Sequence, residues 1–210
     1  MHFYPAILIP LAVFTPLFYL NWNRIDKIVD ESLFARFLFF GLLLGILYAV
    51  MFVYSFSTLK QYIDLTLFAI MLFLPILSTG EQLFIITGKY RGRKDIVQLS
   101  SSMGGAFSFP VAFAIAVVTS TSLQNYFFVA IVAAFAFLAN VMSAVLLSIG
   151  ASKNRILLYY NFAFLVQMLF SSSIFLEYLK GPYGLFVIIP EIVVAILLYT
   201  KFFHARIGSN

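Results

Sequence analysis

Polar side chains inside apolar stretches are the first residues of this sequence that could do chemistry. Glu191 follows Pro190 in the last apolar run, and Asn140 and Gln167 lie within two earlier runs. Because polar groups are costly to bury in hydrocarbon, they often mark a pathway for a substrate or an ion. The alternative is hydrogen bonding between helices, at about 1 kcal/mol for each bond. We take these three residues as candidates for an intramembrane polar pathway, and the packing interpretation stays open.

Motifs of enzymes and of metal or cofactor sites are missing from the sequence. It contains no HExxH, no GxSxG, no paired-aspartate prenyl-binding motif and no GxxxxGK[ST] phosphate loop. It has no cysteine, and its two histidines, His2 and His204, stand near the termini. Disulfides and thiolate metal sites are therefore excluded, as is haem held by paired intramembrane histidines of one chain. We predict no catalytic residue, no metal and no cofactor in this chain.

A basic segment over 88–104 separates two long apolar runs. Its cations are Lys89, Arg91, Arg93 and Lys94. A cluster of this kind steers an acidic protein surface toward it, or lies on anionic lipid. We therefore predict that the segment is a cytoplasmic docking element at the membrane surface.

The same segment has the pattern of a short amphipathic helix. Asp95, with Gln98 three residues on, matches a capping box. Ile96, Leu99 and Met103 then fall at i, i+3 and i+7, which places them on one apolar face. The glycines at 104–105 are expected to end this helix before the next span. The apolar face would anchor the segment in a groove of its partner.

Composition sets the class of the protein. Of the 210 residues, 63% are hydrophobic and 10% charged, and the mean hydropathy is +1.03. Soluble domains are roughly 45–50% apolar and about 25% charged. We predict an all-α, polytopic helix bundle in the cell membrane, with residues 1–210 as a single transmembrane domain. The formal charge of +5 does not indicate nucleic-acid binding, because the basic residues lie between the apolar runs.

Seven apolar runs are each about long enough to cross a bilayer, which takes roughly 20 residues. The first, at 3–21, contains prolines, and six spans remain if it does not cross. The third is interrupted by polar residues at 78–82, which predicts that its helix ends near 79 with an extension over 81–88. The second to seventh predicted spans are 34–57, 64–87, 105–122, 126–150, 157–178 and 184–203, and the interrupted third run is 64–87.

The distribution of charge predicts the orientation. Eleven of the 13 Lys and Arg residues lie in the connections at 22–36, 88–104 and 151–156 and in the tail from 201. The alternate connections hold only Lys60 and Lys180. Short loops rich in Lys and Arg stay in the cytoplasm. The chain is therefore predicted to have its N-terminus outside and its C-terminus inside.

Two further features concern packing. Residues 22–33 combine charged positions with apolar residues at helical spacing, which predicts an interfacial amphipathic helix. Gly41 and Gly45 form a GxxxG pattern in the second run, which permits close approach of another helix in the same chain or in a second copy. A homodimer is one of the assemblies that this pattern allows.

Residues 23–205 resemble, in layout, the membrane subunit of ABC-2-type transporters, the group that includes small haem-exporter-like permeases. Residues 22–33 stand where the family has its interfacial helix, and 89–102 where it has its coupling segment. Residues 152–162 open the fifth span of the family pattern, and 176–190 match its short outer re-entry before the last span. The resemblance implies a permease that moves a substrate with a separate cytoplasmic ATPase. The implied coupling residues are Lys89, Arg91, Arg93, Lys94, Asp95, Ile96 and Leu99.

Other functions remain open at this point. The chain also fits a non-catalytic membrane subunit of a larger respiratory or assembly complex. A seven-span channel or transporter built from two repeats around a central helix has the same span count. The sequence does not identify the substrate, the direction of transport or the stoichiometry.

Overall fold

A computed structural model describes residues 3–22, 29–59, 63–88, 90–119 and 125–180, together with single positions at 193, 196, 197 and 200. Every regular element in this part of the chain is helical, which confirms the all-α class. The helices are α1 (Phe3–Trp22), α2 (Glu31–Leu59), α3 (Ile63–Thr87), α4 (Ile96–Thr119), α5 (Asn125–Ser152) and α6 (Ile156–Lys180).

Four of these helices are long and apolar enough to cross a membrane. The qualifying stretches are Glu31–Ser55, Ile96–Val118, Val129–Ser152 and Ile156–Ile174. Shorter apolar stretches occur in the described parts of α1 and α3. These lengths indicate a helical membrane protein. The seventh predicted span, at 184–203, lies almost entirely outside the described residues, so the count of seven stays a prediction.

Helices α4 and α5 form the centre of the bundle. In their apolar stretches 78% and 83% of the residues are buried, against 28% in α2 and in α6. Helix α4 packs mainly on α2 and α5, α6 packs on α5 and α3, and α1 crosses α4 and α5. The outer faces of α2 and α6 carry large apolar side chains, as contact with lipid requires. They include Phe39, Leu42, Ile46 and Val50 on α2, and Leu157, Phe162, Leu165 and Leu169 on α6.

Glycine sets the distance between the central helices. A Cβ at Gly41 or Gly45 of α2 would run into the backbone carbonyls of Met103 and Phe107 on α4. A Cβ at Gly104 of α4 would lie 2.5 Å from the carbonyl oxygen of Asn140 on α5. Small residues permit such close backbone approach between membrane helices. The two glycines of the GxxxG pattern therefore pack against α4 of the same chain.

Two expected helix breaks are absent from the described residues. Helix α4 runs without interruption through Gly104, since the glycines there allow α5 to approach and do not end the helix. Helix α3 continues from Pro75 to Thr87 through the polar stretch. There the hydroxyls of Ser78 and Thr79 donate to the carbonyl of Pro75, at 3.2 and 2.6 Å. Because such bonds satisfy polar side chains within their own helix, the sequence-based end near 79 is wrong.

The predicted interfacial helix over 22–33 falls on more than one element. Trp22 ends α1, Val29 and Asp30 are not helical, and α2 begins at Glu31. Asp30 is the N-cap of α2, where its carboxylate accepts the backbone N–H of Ser32 at 2.9 Å. The range is therefore not one continuous helix, and residues 23–28 lie outside the described part of the chain.

Candidate functional site

An amide cluster, formed by Gln82 of α3, Asn140 of α5 and Gln167 of α6, lies inside the bundle. Each of the three side chains is at most 1% exposed. Asn140 Oδ1 accepts hydrogen bonds from Gln167 Nε2 at 2.9 Å and from Gln82 Nε2 at 3.4 Å. Asn140 Nδ2 donates to the carbonyl of Ala136, one turn earlier in α5, at 2.8 Å. Asn140 is thus the centre through which three helices are joined.

The sequence-based candidates meet in this cluster only in part. Asn140 and Gln167 are both candidates for the predicted polar pathway, and the structure brings them into contact. Gln82 was not among the candidates. The sequence signal that could have identified Gln82 is its position one helical turn after Ser78 and Thr79. In the structure these two residues are also fully buried and share its face of α3. Glu191 lies outside the described residues.

Several buried polar atoms around the amide cluster have no hydrogen-bond partner among the described residues. They include Gln82 Oε1, Glu81 Oε2 and Ser143 Oγ, the last one turn beyond Asn140 on α5. A buried polar atom without a partner costs about 1–3 kcal/mol. Native proteins contain few such atoms, and each calls for a physical reason.

Polar side chains continue from the amide cluster toward α2. Tyr48 of α2 is buried beside Ser171 of α6 and within electrostatic reach of the Glu81 carboxyl. Ser171 lies one turn beyond Gln167 on α6. The interior therefore holds a polar layer contributed by α2, α3, α5 and α6. The described residues contain no group of three or more His, Cys, Asp or Glu side chains that could hold a metal ion.

A second candidate site lies at one end of the bundle, where the α3–α4 connection meets the α5–α6 turn. We call this surface the basic end. The structure does not describe Lys89. The exposed cations of the basic end are Arg91, Arg93, Lys94, Lys153 and Arg155.

Arg91 fastens the α3–α4 connection to the end of α5, a contact that we call the Arg91 bridge. Its Nε donates to the carbonyl of Ala151 at 3.4 Å, and its Nη2 donates to Asn154 Oδ1. Asn154 has a φ of 55°. The N–H groups of Asn154 and Arg155 return to the carbonyls of Ala151 and Gly150, at 3.5 and 2.9 Å. This is a Schellman turn with asparagine at the left-handed position, and the Arg91 cation suits the negative end of the α5 dipole.

Asp95 stands at the N-cap position of α4, as the capping pattern predicted. Its carbonyl accepts the N–H of Leu99 at 3.0 Å. Its two carboxylate oxygens accept from Arg93 at 2.8 and 2.9 Å, a partner that the capping pattern did not include. These hydrogen bonds lower the pKa of Asp95. The pair therefore stabilises the fold at neutral pH, and its contribution is lost as the pH falls through that lowered value. Because Arg93 is exposed, the contribution is small.

The apolar face of the 88–104 segment has a different role from the one expected. Ile96, Leu99 and Met103 share one face, but all three are buried in the bundle core. They point inward because α4 is enclosed by α2 and α5. In this conformation they do not offer an anchor to a partner. The exposed part of the segment is cationic, and Arg93 and Lys94 are among its described members.

No family model matches this chain, and neither a curated protein nor a solved structure shows significant similarity to it.

Proposed function

We propose that this chain is the membrane permease subunit of an ATP-driven transporter, with the ATPase on a separate cytoplasmic protein. The observation that carries the proposal is the Arg91 bridge. It ties the basic connection to the end of α5, and the same connection leads directly into α4. A partner that moves this connection would therefore move both central helices together.

The surface charge supports a protein partner at this end. Arg93, Lys94, Lys153 and Arg155 are exposed around the Arg91 bridge. Complementary charge steers the approach of an acidic surface and fixes its orientation more than it adds affinity. The positive-inside rule assigns this end to the cytoplasm, where an ATPase would find its nucleotide. Seven spans, with the N-terminus outside, belong to the same proposal.

Cysteine labelling tests the orientation, because the chain has no cysteine of its own. A cysteine at Gly92 has open space around its Cβ, and one at Asn125, where α5 begins, is at the other end of the bundle. In intact cells a membrane-impermeant maleimide is expected to label Asn125→Cys and to spare Gly92→Cys. Permeabilised cells should show labelling of both. Labelling of Gly92→Cys alone in intact cells would show that the orientation is the opposite of the one proposed.

Co-purification tests the ATPase. The tagged chain is isolated in mild detergent and photolabelled with 8-azido-ATP, and a separate labelled protein is expected to accompany it. Lys94→Glu should reduce the recovered label severalfold, most strongly at low ionic strength, while Lys94→Arg should retain it. Absence of a nucleotide-binding protein from the unaltered preparation contradicts the proposal.

The Arg91 bridge gives a sharper version of the same test. Asn154→Gly keeps the left-handed turn, which glycine favours, but removes the side-chain acceptor of Arg91 and leaves it only the Ala151 carbonyl. The ATPase should then still bind, while the stimulation of its hydrolysis by this chain falls. Asn154→Asp keeps an acceptor oxygen and should preserve the stimulation. Equal stimulation with all three residues would mean that the bridge plays no part in coupling.

A non-catalytic subunit of a larger membrane complex is the second candidate. The inward face of Ile96, Leu99 and Met103 favours it, because the segment then lacks an exposed apolar anchor. Co-purification of other integral membrane proteins, with no photolabelled partner, would be its expected result.

A further inference from the structure

The α5–α6 turn carries exposed cations directly beside apolar side chains that face out of the bundle. We propose that this surface, formed by Lys153, Arg155, Leu157 and Leu158, binds an anionic phospholipid. The two cations would contact the phosphate of the headgroup, and the two leucines would contact the acyl chains. The leaflet follows from the orientation proposed above, whereas the choice of ligand rests only on the described residues of this chain.

The turn presents its two cations on a closely packed backbone. The left-handed Asn154 ends α5, and the N–H of Arg155 donates to the Gly150 carbonyl at 2.9 Å. Helix α6 then packs directly back on α5, where a Cβ at Gly150 would lie 2.7 Å from the Cβ of Tyr159. The Cα atoms of Lys153 and Arg155, two residues apart in the chain, are within about 7 Å of each other. Their long side chains can therefore reach one phosphate group.

The depth of Arg155 in the bilayer is set by α6. The apolar stretch of α6 begins at Ile156, the next residue, and only 28% of it is buried inside the bundle. Leu157 is 76% exposed and Leu158 is 48% exposed. Because a helix rises 1.5 Å per residue, these leucines lie only about 3–5 Å along the axis from Arg155. The cation is therefore at the level of the lipid headgroups, next to side chains that contact acyl chains.

The charge of the turn is uniformly positive. The sequence contains no acidic residue between Asp95 and Glu177. In the described part of the chain neither Lys153 nor Arg155 has an ion-pair partner. The α3–α4 connection differs, because its Arg93 is paired with Asp95 at 2.8 Å. Uncompensated cations at this depth attract anionic lipids.

A comparison with Lys94 favours lipid over an acidic protein surface as the ligand of the turn. Lys94 is an exposed cation of the same basic end, but it leads into α4, whose apolar stretch is 78% buried. Acyl chains therefore have little access beside Lys94. A soluble partner can approach either cation from the cytoplasm, but it cannot follow Arg155 down to Leu157 inside the bilayer. A phospholipid can contact both.

Lipid binding to the purified, delipidated full-length chain tests the inference, with native mass spectrometry counting the bound molecules. Phosphatidylglycerol is compared with phosphatidylcholine of the same acyl chains, and glycerol 3-phosphate is added as a competitor. Since each cation near a membrane surface favours an anionic lipid roughly fivefold, the first phosphatidylglycerol should bind more than about tenfold more tightly than phosphatidylcholine. Glycerol 3-phosphate at the same concentration should not displace it, because it has no acyl chain.

Variants locate the binding at the turn. Arg155→Gln should weaken phosphatidylglycerol binding roughly fivefold, and its combination with Lys153→Gln should weaken it by more than about tenfold. Arg155→Lys keeps the charge and should stay within about twofold of the unaltered chain. Lys94→Gln is the matched control, because it removes one cation from the same end, and it should also stay within about twofold. Unchanged phosphatidylcholine binding shows that each variant is folded.

Four results would overturn the inference. The first is equal binding of the two lipids to the unaltered chain, and the second is an equal loss with Lys94→Gln and with Arg155→Gln. The third is displacement of phosphatidylglycerol by an equal concentration of glycerol 3-phosphate. The fourth is unchanged phosphatidylglycerol binding to the double variant together with a reduced recovery of the photolabelled ATPase, which would assign the turn to the protein interface.

The lipid measurement is independent of the proposed function. The purified chain is studied without an ATPase, so failure of lipid binding leaves the co-purification result intact. Absence of an ATPase from the preparation likewise leaves lipid binding at the turn intact.

Discussion

Replacing Gly45 with alanine is expected to destabilise the bundle by about 1–3 kcal/mol, the usual cost of overpacking a tight contact. The added methyl group would meet the Phe107 backbone of α4, whose Cα would be 3.0 Å away and whose carbonyl would be closer still. A backbone cannot rotate aside as a flexible side chain does, so α2 and α4 would have to separate. Gly41→Ala should act in the same way, because its Cβ would lie 3.0 Å from that of Ala106.

Gly80→Ala is the matched control for this prediction. Gly80 is a helical glycine of α3, and apart from the adjacent part of its own helix no described atom lies within 4 Å of the position of its Cβ. The same methyl group should therefore stabilise the protein, by up to about 1 kcal/mol from helix propensity alone. Thermal unfolding of the three variants in one detergent gives the comparison. Similar effects at Gly45 and Gly80 would show that α2 and α4 are not packed at backbone distance.

Asn140→Leu is expected to cost about 2 kcal/mol. The substitution leaves Nε2 of Gln82 and of Gln167 without their common acceptor. A buried group without a partner costs about 1–3 kcal/mol in soluble proteins, but hydrogen bonds between membrane helices average only about 0.6 kcal/mol. Because two donors are affected, the membrane value gives a total of about 1.2 kcal/mol and the lower soluble value a total of about 2 kcal/mol, and the estimate takes the upper of these totals.

A triple variant with leucine at Gln82, Asn140 and Gln167 shows whether the loss comes from unpaired hydrogen-bond donors or from steric crowding by the leucine at 140. Removing all three polar partners leaves none unsatisfied, so at least half of the lost stability should return. Asn161→Leu on the exposed face of α6 is the control, and it should change stability by less than about 0.5 kcal/mol. Additive losses in the triple variant would contradict the network.

Hydrophobicity predicted most of the helix limits, since any apolar run of sufficient length must satisfy its backbone internally. The run at 126–150, for example, corresponds to α5, which spans Asn125–Ser152. The structural roles predicted for individual residues within these runs were less accurate. The flexibility of the glycines at 104–105 predicts the end of a helix, whereas in the structure their lack of a side chain allows α5 to approach α4 closely. Their role depends on a helix that begins about 20 residues later.

The two candidate sites were predictable to different degrees. The cations of the basic end fall in two short stretches of the sequence, 91–94 and 153–155, so local inspection found them. The spacing of Ile96, Leu99 and Met103 also showed that they share a face, but spacing cannot show whether that face meets a partner or the core. The amide cluster joins residues 58 positions apart in the case of Gln82 and Asn140. Such a contact is set by helix packing, which no local pattern contains.

The enclosed position of α4 has a consequence for how the protein enters the membrane. Its apolar stretch has a mean hydropathy of 1.7, against 2.4 for α2 and for α5. A segment rich in serine and glycine partitions poorly from the translocon into lipid by itself. During synthesis, however, α2 emerges first and already presents Gly41 and Gly45. Because α2 precedes α4 in the chain, its glycine face is already in the bilayer when α4 is inserted, and α4 can pack against it. Helix α5 can then pack on the opposite side of α4.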